Sequence, residues 1–151
     1  MREALAEAER AAAEGEVPVG AVIYQTGKII ARGFNKTEQL KDPCAHAEIL
    51  AIRQACIQIA DWRLNESILC VTLEPCVMCM GAIRLARIPT LIFGAQDPRM
   101  GACGSAHDLS GEIGWAGELS VISDILGGEC SRLMKEFFGE RRMKRDSGGC
   151  L

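Results

Sequence analysis

Hydrophobic and polar positions follow two periods along this chain, one typical of strands and one typical of helices. Short apolar runs bounded by turn residues predict five strands, at 17–24, 28–34, 67–73, 90–95 and 119–123. Longer stretches in which apolar residues recur every three or four positions predict four helices, at 2–14, 46–59, 77–87 and 128–142. Gln25-Thr26-Gly27 has turn character, so the first two strands are expected to form a hairpin.

The order of these elements predicts the fold class. Two strand–helix units in the middle of the chain favour parallel pairing there, with helices on both faces of one mixed sheet. We therefore predict an α/β fold, a three-layer α/β/α arrangement with a central mixed five-stranded sheet. At 151 residues the chain is long enough for one domain. We expect that domain to span residues 1–143, with residues 144–151 as a flexible tail.

Composition is that of a globular protein in a reducing compartment. The chain is 48% hydrophobic and 25% charged, and no apolar run approaches the length that spans a membrane. Met1 leads directly into an Ala/Glu/Arg-rich segment, so we expect no signal peptide. Eight cysteines could indicate a disulfide scaffold, but a chain with this many core residues does not need one. A cytoplasmic location is the better interpretation.

Charge is unevenly distributed. A net charge of −3 argues against broad, non-specific binding of nucleic acid, which requires an extended basic surface. Residues 132–145 nevertheless contain six basic and two acidic side chains, a local charge of +4. This segment is either a solvated helix end or a patch that contacts RNA phosphates, and the sequence favours neither. The candidate contacts are Arg141, Arg142, Lys144 and Arg145.

Cys76 and Cys79 form one half of a predicted metal site. They lie three residues apart, where a buried strand runs through Pro75 into a helix. Residues three apart are neighbours on a helix surface, so both thiols face the same way. Backbone N–H groups at a helix start also favour the thiolate, which is the form that binds metal.

The other half is predicted at His46-Ala47-Glu48, where a second helix begins. One histidine and two cysteines give three protein ligands, and a catalytic zinc keeps its fourth position for water. Glu48, two residues from a ligand, suits the general base beside that water. The alternative is a closed structural zinc site, for which Cys44 is the obvious fourth ligand.

His-x-Glu followed by Pro-Cys-x-x-Cys is the signature of zinc-dependent nucleobase deaminases. Together with 16–22, the Leu-Glu-Pro-Cys-x-Met-Cys-x-Gly-Ala-Ile form of the cysteine motif and 93–98, 101–105 and 137–138, it makes nearly the whole chain resemble the bacterial tRNA adenosine deaminases. These belong to the cytidine deaminase-like superfamily. The resemblance implies that fold and conversion of adenosine to inosine at the wobble position of a tRNA anticodon. It also implies a homodimer with one Zn²⁺ per subunit.

The same resemblance implies roles for residues around the zinc. Asn35 would contact the flipped base, Ala47 and Pro75 would line its pocket, and Asp97 would lie beside the substrate nucleotide. From the sequence alone Asn35 could equally cap the turn after the second strand. The chain departs from the family at 113–117, where relatives carry an Asn-His pair.

Two rival functions stay open. One is deamination of a free purine base such as guanine by the same zinc residues. The other is a non-catalytic, zinc-stabilised subunit that helps a partner bind RNA. His107 is expected to be a surface-loop histidine rather than a substrate contact, and Trp115 could stack on a base if it is exposed.

Overall fold

The computed structural model describes residues 1–111 and 117–147, with side chains through residue 143. Five strands run in chain order as β1 (Gly20–Gln25), β2 (Lys28–Phe34), β3 (Ser67–Leu73), β4 (Thr90–Ala95) and β5 (Ser120–Ile122). The helices are α1 (Arg2–Ala13), α2 (Thr37–Leu40), α3 (Ala47–Ile59), α4 (Val77–Leu85) and α5 (Gly127–Ser147).

The strands form one mixed sheet in the order β2-β1-β3-β4-β5. The β1–β2 hairpin and the β1–β3 pair are antiparallel, whereas β3–β4 and β4–β5 are parallel. Two crossovers, through α4 and through the segment before β5, produce the parallel pairs. The carboxyl ends of β3 and β4 therefore lie together at one edge of the sheet, which is where ligands bind in open α/β sheets.

Side chains alternate between the two faces of the sheet and explain the three layers. On β1, Ile23 belongs to the larger core, which α3 and α4 cover, and Val22 belongs to a smaller cluster on the other face. Phe93 and Ile92 divide in the same way on β4. Helices α1 and α5 pack against this second face. The predicted three-layer α/β/α fold is confirmed.

Gly33 allows α3 to start directly against β2. A Cβ atom at this position would lie 2.4 Å from the carbonyl oxygen of Ala47 and 2.8 Å from the amide nitrogen of Ala51. Only glycine leaves room for so close an approach of backbone to backbone. The first turn of α3, which carries Glu48, is thereby fixed against the sheet.

Most predicted elements are observed, with differences at their ends. The first strand begins at Gly20 rather than Val17, and the helix predicted at 46–59 begins at Ala47, with His46 as its N-cap. The short α2 was not predicted, because four residues carry too little periodicity. Helix α5 continues through Ser147, past residue 143 where the domain boundary was placed. The division into domain and tail stays a prediction.

Seven cysteines lie in the described residues, and all seven are free thiols. Cys150 lies outside the described residues. Within 1–111 and 117–147, no helix is both long enough and apolar enough to cross a membrane.

Candidate metal centre and substrate cavity

Two helix starts bring the predicted ligands together. His46 is the N-cap of α3, with φ −74° and ψ 152°, and Cys76 is the N-cap of α4, with φ −74° and ψ 172°. These extended N-cap conformations aim both side chains off the ends of their helices. Cys79 follows one turn into α4 and is completely buried. The three residues predicted as ligands therefore face one point.

The spacing of the three ligand atoms fits zinc. His46 Nδ1 lies 3.7 Å from Cys76 Sγ and 3.5 Å from Cys79 Sγ, and all three ligand atoms lie within 4.8 Å of one another. A tetrahedral site with Zn–S of about 2.3 Å and Zn–N of about 2.0–2.1 Å requires nitrogen and sulfur about 3.5–3.6 Å apart. One nitrogen and two sulfurs are also a donor set that zinc prefers.

Electrostatics in the cluster favour a thiolate. A hydrogen bond from Cys79 lowers the pKa of Cys76 to about 4, and His46 acts in the same direction. The shared hydrogen bond and burial raise the pKa of Cys79. The hydrogen bond to Cys76 also raises the pKa of His46. The cluster thus retains protons that binding of a metal ion would release.

Glu48 lies in the first turn of α3, beside the ligands, and is 4% exposed. Burial raises the pKa of its carboxyl group, outweighing a backbone hydrogen bond and the positive charge of His46. The side chain borders the same cavity as His46 and Cys76. A carboxyl group in this position can exchange a proton with a molecule bound next to the ligands.

A cavity of about 310 Å³ opens against the ligand cluster. It lies at the carboxyl ends of β2 and β3, and α2, α5 and the loop that follows β4 also contribute to its lining. Its volume is in the range of small-molecule sites, enough for a nucleobase with part of its ribose. Met134 and Phe138 of α5 supply apolar surface, and Arg141 lies at its margin.

The four predicted substrate residues differ in whether they line this cavity. Asn35 and Asp97 line it, whereas Ala47 and Pro75 are buried and are not among its lining residues. Asn35 Oδ1 accepts a hydrogen bond of 2.9 Å from the amide of Ala47, so its side chain ties β2 to the start of α3. This contact is neither a cap of the turn after β2 nor a contact with substrate, so both interpretations of Asn35 stay predictions. The substrate roles of all four residues stay predictions.

Glu74 is a second buried carboxylate at the cavity, 3% exposed. Its Oε2 accepts a hydrogen bond from the amide of Asp97 (3.0 Å), and its Oε1 accepts from the amides of Cys103 (2.9 Å) and Ser105 (3.1 Å). The Ser105 hydroxyl also donates to Oε2. Burial acts to raise the pKa of Glu74, but these hydrogen bonds outweigh it and lower the pKa.

The candidate RNA contacts lie at the end of α5. The Arg141 guanidinium donates to the carbonyl oxygen of Gly15 and stacks on the Phe137 ring, with 4.6 Å between its carbon and the ring centroid. Arg142 lines a neighbouring cavity of about 290 Å³, together with Arg99 and Lys135. The side chains of Lys144 and Arg145 lie outside the described residues.

The remaining candidates lie in different places around the site. Cys44 is exposed and does not join the three-residue ligand cluster found among the described residues. His107 is exposed on a loop, as expected, yet it also borders a cavity of about 320 Å³ that reaches His46 and Cys76. The Cys103 thiol donates a hydrogen bond to the Met80 sulfur, at 3.2 Å between the two sulfur atoms. Trp115 lies outside the described residues, as does the rest of 112–116.

Sequence reasoning missed several residues that border the cavity. Glu16 accepts hydrogen bonds from the amides of Glu38 (3.1 Å) and Gln39 (2.7 Å), so it holds α2 against the cavity. Glu74 could have been singled out, because it is a charged residue at the carboxyl end of a buried strand. Phe138 and Met134 carried no such signal, since their pattern predicts only an amphipathic helix.

The chain is similar in sequence to known deaminases. The model of the cytidine and deoxycytidylate deaminase zinc-binding region matches residues 1–95. The tRNA-specific adenosine deaminase of Bacillus subtilis is 43% identical over 145 residues, which cover 96% of this chain and 90% of that protein.

Among solved structures similar to this chain, one belongs to the same family and another is less similar in sequence. A structure from a study of A-to-I editing by tRNA:A34 deaminases at the wobble position superposes with a TM-score of 0.82. It is 43% identical, over 88% of this chain and 96% of that one. Guanine deaminase from Nitrosomonas europaea superposes with a TM-score of 0.74 at 25% identity, over 89% of this chain and 80% of that one.

Proposed function

The chain belongs to the tRNA-specific adenosine deaminases, within the cytidine deaminase zinc-binding family, and we propose that it hydrolyses adenosine to inosine at the wobble position of a tRNA anticodon. The observation that carries the proposal is a cluster of one imidazole and two thiols, with ligand atoms within 4.8 Å of one another, beside a cavity that Glu48 also lines.

Each residue of the site has a defined task in this reaction. His46, Cys76 and Cys79 would hold a zinc ion, which would supply the Lewis acidity that makes water nucleophilic at neutral pH. Glu48 takes a proton from the attacking water and delivers it to N1 of the adenine ring. It then takes the proton of the hydroxyl group now at C6 and donates it to the amino group, which departs as ammonia and leaves the C6 carbonyl of inosine.

Asn35 and Asp97 are placed to recognise the nucleotide. Both line the cavity, and the Asn35 amide nitrogen is free of the contact that its oxygen makes with Ala47. An amide in this position can hydrogen-bond the edge of a flipped base. Ala47 and Pro75 are buried next to the ligands His46 and Cys76 in the chain, where they would hold the two ligand turns against the cavity.

The substrate RNA approaches from the side of α5. Arg99, Lys135 and Arg142 surround the neighbouring cavity, next to the Arg141 side chain. These cations give the acidic chain a local basic surface for phosphates, and Lys144 and Arg145 extend it in the sequence. An anticodon loop presents unstacked bases, so little energy is needed to flip one.

We also propose a homodimer with one zinc ion per subunit, located in the cytoplasm. Val77 and Met100 are 50% and 58% exposed beside the ligand turn, an apolar surface that a second subunit would cover. The seven free thiols among the described residues support the cytoplasmic location, because disulfides are rare in a reducing compartment. Light scattering of the zinc-loaded protein, with metal analysis, measures both stoichiometries.

The test is an inosine assay on the purified, zinc-loaded protein. Its substrates are an anticodon stem-loop with adenosine at the wobble position and, in parallel, free guanine, adenine, adenosine and cytidine. We expect inosine in the stem-loop from the unaltered protein and none from Glu48→Ala, with zinc bound in both.

Other results of this assay would favour one of the two rival functions. Ammonia from free guanine without inosine in the stem-loop would make it a purine deaminase, a reaction for which the guanine deaminase fold is a precedent. Zinc binding without turnover of any substrate, together with binding of the stem-loop, would favour the non-catalytic subunit.

A further inference from the structure

We propose that Glu74 is a positioning residue that fixes one wall of the substrate cavity relative to the metal ligands. The inference rests on the proposed function, because the wall it concerns is that of the nucleotide cavity. Its consequence is that Glu74 controls how well the RNA substrate is held, whereas the chemical step belongs to Glu48.

The loop that Glu74 holds runs from Asp97 to Ser105, directly after β4. Three backbone amides of this loop and the hydroxyl of Ser105 point at the two oxygens of one carboxylate. The donors of Asp97 and Ser105 lie eight positions apart in the chain, so a single side chain closes the whole loop. Because Glu74 is 3% exposed, water does not substitute for it.

The same loop carries side chains that form the cavity. Asp97, Arg99 and Met100 all line it. Asp97 Oδ1 in turn accepts hydrogen bonds from the amides of Arg99 (3.0 Å) and Met100 (3.3 Å), which shapes the turn between them. A shift of the Asp97 backbone would therefore move three lining side chains together.

A second set of contacts joins this loop to the ligand turn itself. The amide of Ala102 donates to the carbonyl oxygen of Pro75 at 2.8 Å, and Gly101 pairs with Cys76 in an isolated β-bridge. Gly101 also lies against the Glu74 carboxyl group, since a Cβ atom there would be 2.4 Å from its Cδ and Oε2. Glu74 is thus linked to both parts of the site. Cys76, a proposed metal ligand, follows it by two residues in the chain, and the loop that it holds forms one wall of the substrate cavity.

A carboxylate is required because every group that faces it is a donor. An amide at position 74 would offer one oxygen to two of the four donors and turn its own N–H groups toward the other two. Glu74→Gln therefore keeps the shape of the side chain but leaves two of the four loop donors without an acceptor. In this variant we expect Asp97 to shift from its position in the cavity wall, whereas the three proposed metal ligands keep theirs.

The experiment compares Glu74→Gln with the unaltered protein on the wobble-adenosine stem-loop. We expect KM for the stem-loop to rise about tenfold or more, with kcat within about threefold and the zinc content unchanged, as for loss of a charge-assisted contact that acts on binding. Amide hydrogen exchange at Asp97, Cys103 and Ser105 should become faster, which is a readout independent of turnover.

Glu7→Gln is the matched control. Glu7 is also a buried carboxylate, 4% exposed, but it pairs with Arg10 and Arg32 on the side of α1. Its loss should leave KM and the exchange of the loop amides unchanged. An equal rise of KM in both variants would mean that loss of any buried carboxylate loosens the protein, and would overturn the proposal.

A double-mutant cycle separates positioning from general stability. Ser105→Ala should raise KM severalfold in the unaltered protein and have less effect in Glu74→Gln, because the two residues share one contact. Unchanged KM in folded, zinc-loaded Glu74→Gln would overturn the proposal. If Glu74→Gln does not fold, an unchanged KM in Ser105→Ala would do so. Absence of inosine with the unaltered protein would instead refute the proposed function.

Discussion

Glu48 and Glu74 are two carboxylates at one cavity with almost the same exposure, 4% and 3%, and opposite surroundings. Glu48 lies beside the imidazole and thiols of the candidate metal ligands, where burial raises its pKa. Glu74 receives four donors from the loop after β4, and these lower its pKa. Equal burial therefore does not imply an equal role.

The contrast indicates how one cavity divides its work. A carboxyl group whose neutral form is favoured by burial can gain and lose a proton during a reaction. A carboxylate whose oxygens are all occupied by donors is stabilised as the anion and holds its neighbours in place. Under the proposed function, proton transfer would therefore belong to the region of α3, and substrate placement would belong to the loop after β4.

Removing a metal ligand should abolish the chemistry of the Glu48 region altogether. We expect Cys79→Ala to lose zinc and to form no detectable inosine, because two ligands no longer hold the ion. Zinc content and turnover are the measurements. Cys44→Ala is the control: its thiol is exposed and outside the ligand cluster, so both should be retained. Loss of zinc from Cys44→Ala would point to a closed, four-ligand site.

Glu48→Gln should remove proton transfer and leave the metal bound. The amide keeps the size of the side chain but cannot take a proton from water, so we expect kcat to fall by about 10²–10⁴-fold. Metal analysis by mass spectrometry should show unchanged zinc. Turnover close to that of the unaltered protein would exclude Glu48 as the proton carrier.

Gly101→Ala should weaken the Glu74 region through packing alone. The added methyl group would lie 2.4 Å from the Glu74 carboxyl group and must displace it, so we expect a loss of about 1–3 kcal/mol in the free energy of unfolding. Gly81→Ala on α4 is the control, because a Cβ atom there meets nothing within 4 Å. Denaturant unfolding of both variants measures the difference. Equal stabilities would show that the loop adapts without cost.

Arg141→Ala should have the smallest effect, on RNA binding alone. We expect KM for the stem-loop to rise severalfold and its salt dependence to weaken, since one phosphate-directed cation is lost. Deamination of any free base should be unaffected. Lys28→Ala, a cation at the far end of β2, removes the same charge and should leave KM unchanged. Similar effects of both changes would indicate net charge rather than a specific contact.

The sequence predicts the Glu48 region well and the Glu74 region poorly, for a physical reason. His46, Glu48, Cys76 and Cys79 sit at two helix starts, and their short spacings fix which way they point. The fold, too, can be predicted, because the hydrophobic periodicity gives the strands and helices and their order along the chain gives the sheet. The donors to Glu74 lie 23 to 31 residues away in sequence, on a loop without periodicity. Likewise, α2 and the contact of Phe138 with the cavity depend on tertiary packing.

The most direct test of this division is single-turnover deamination of the wobble-adenosine stem-loop at saturating concentrations of zinc-loaded enzyme. Saturation removes the effect of weaker binding and leaves the chemical step. We predict that Glu74→Gln reacts at a rate within about threefold of the unaltered protein, whereas Glu48→Gln is slower by about 10²–10⁴-fold. An equal loss of rate in both variants would contradict the account, because the two carboxylates would then share one role.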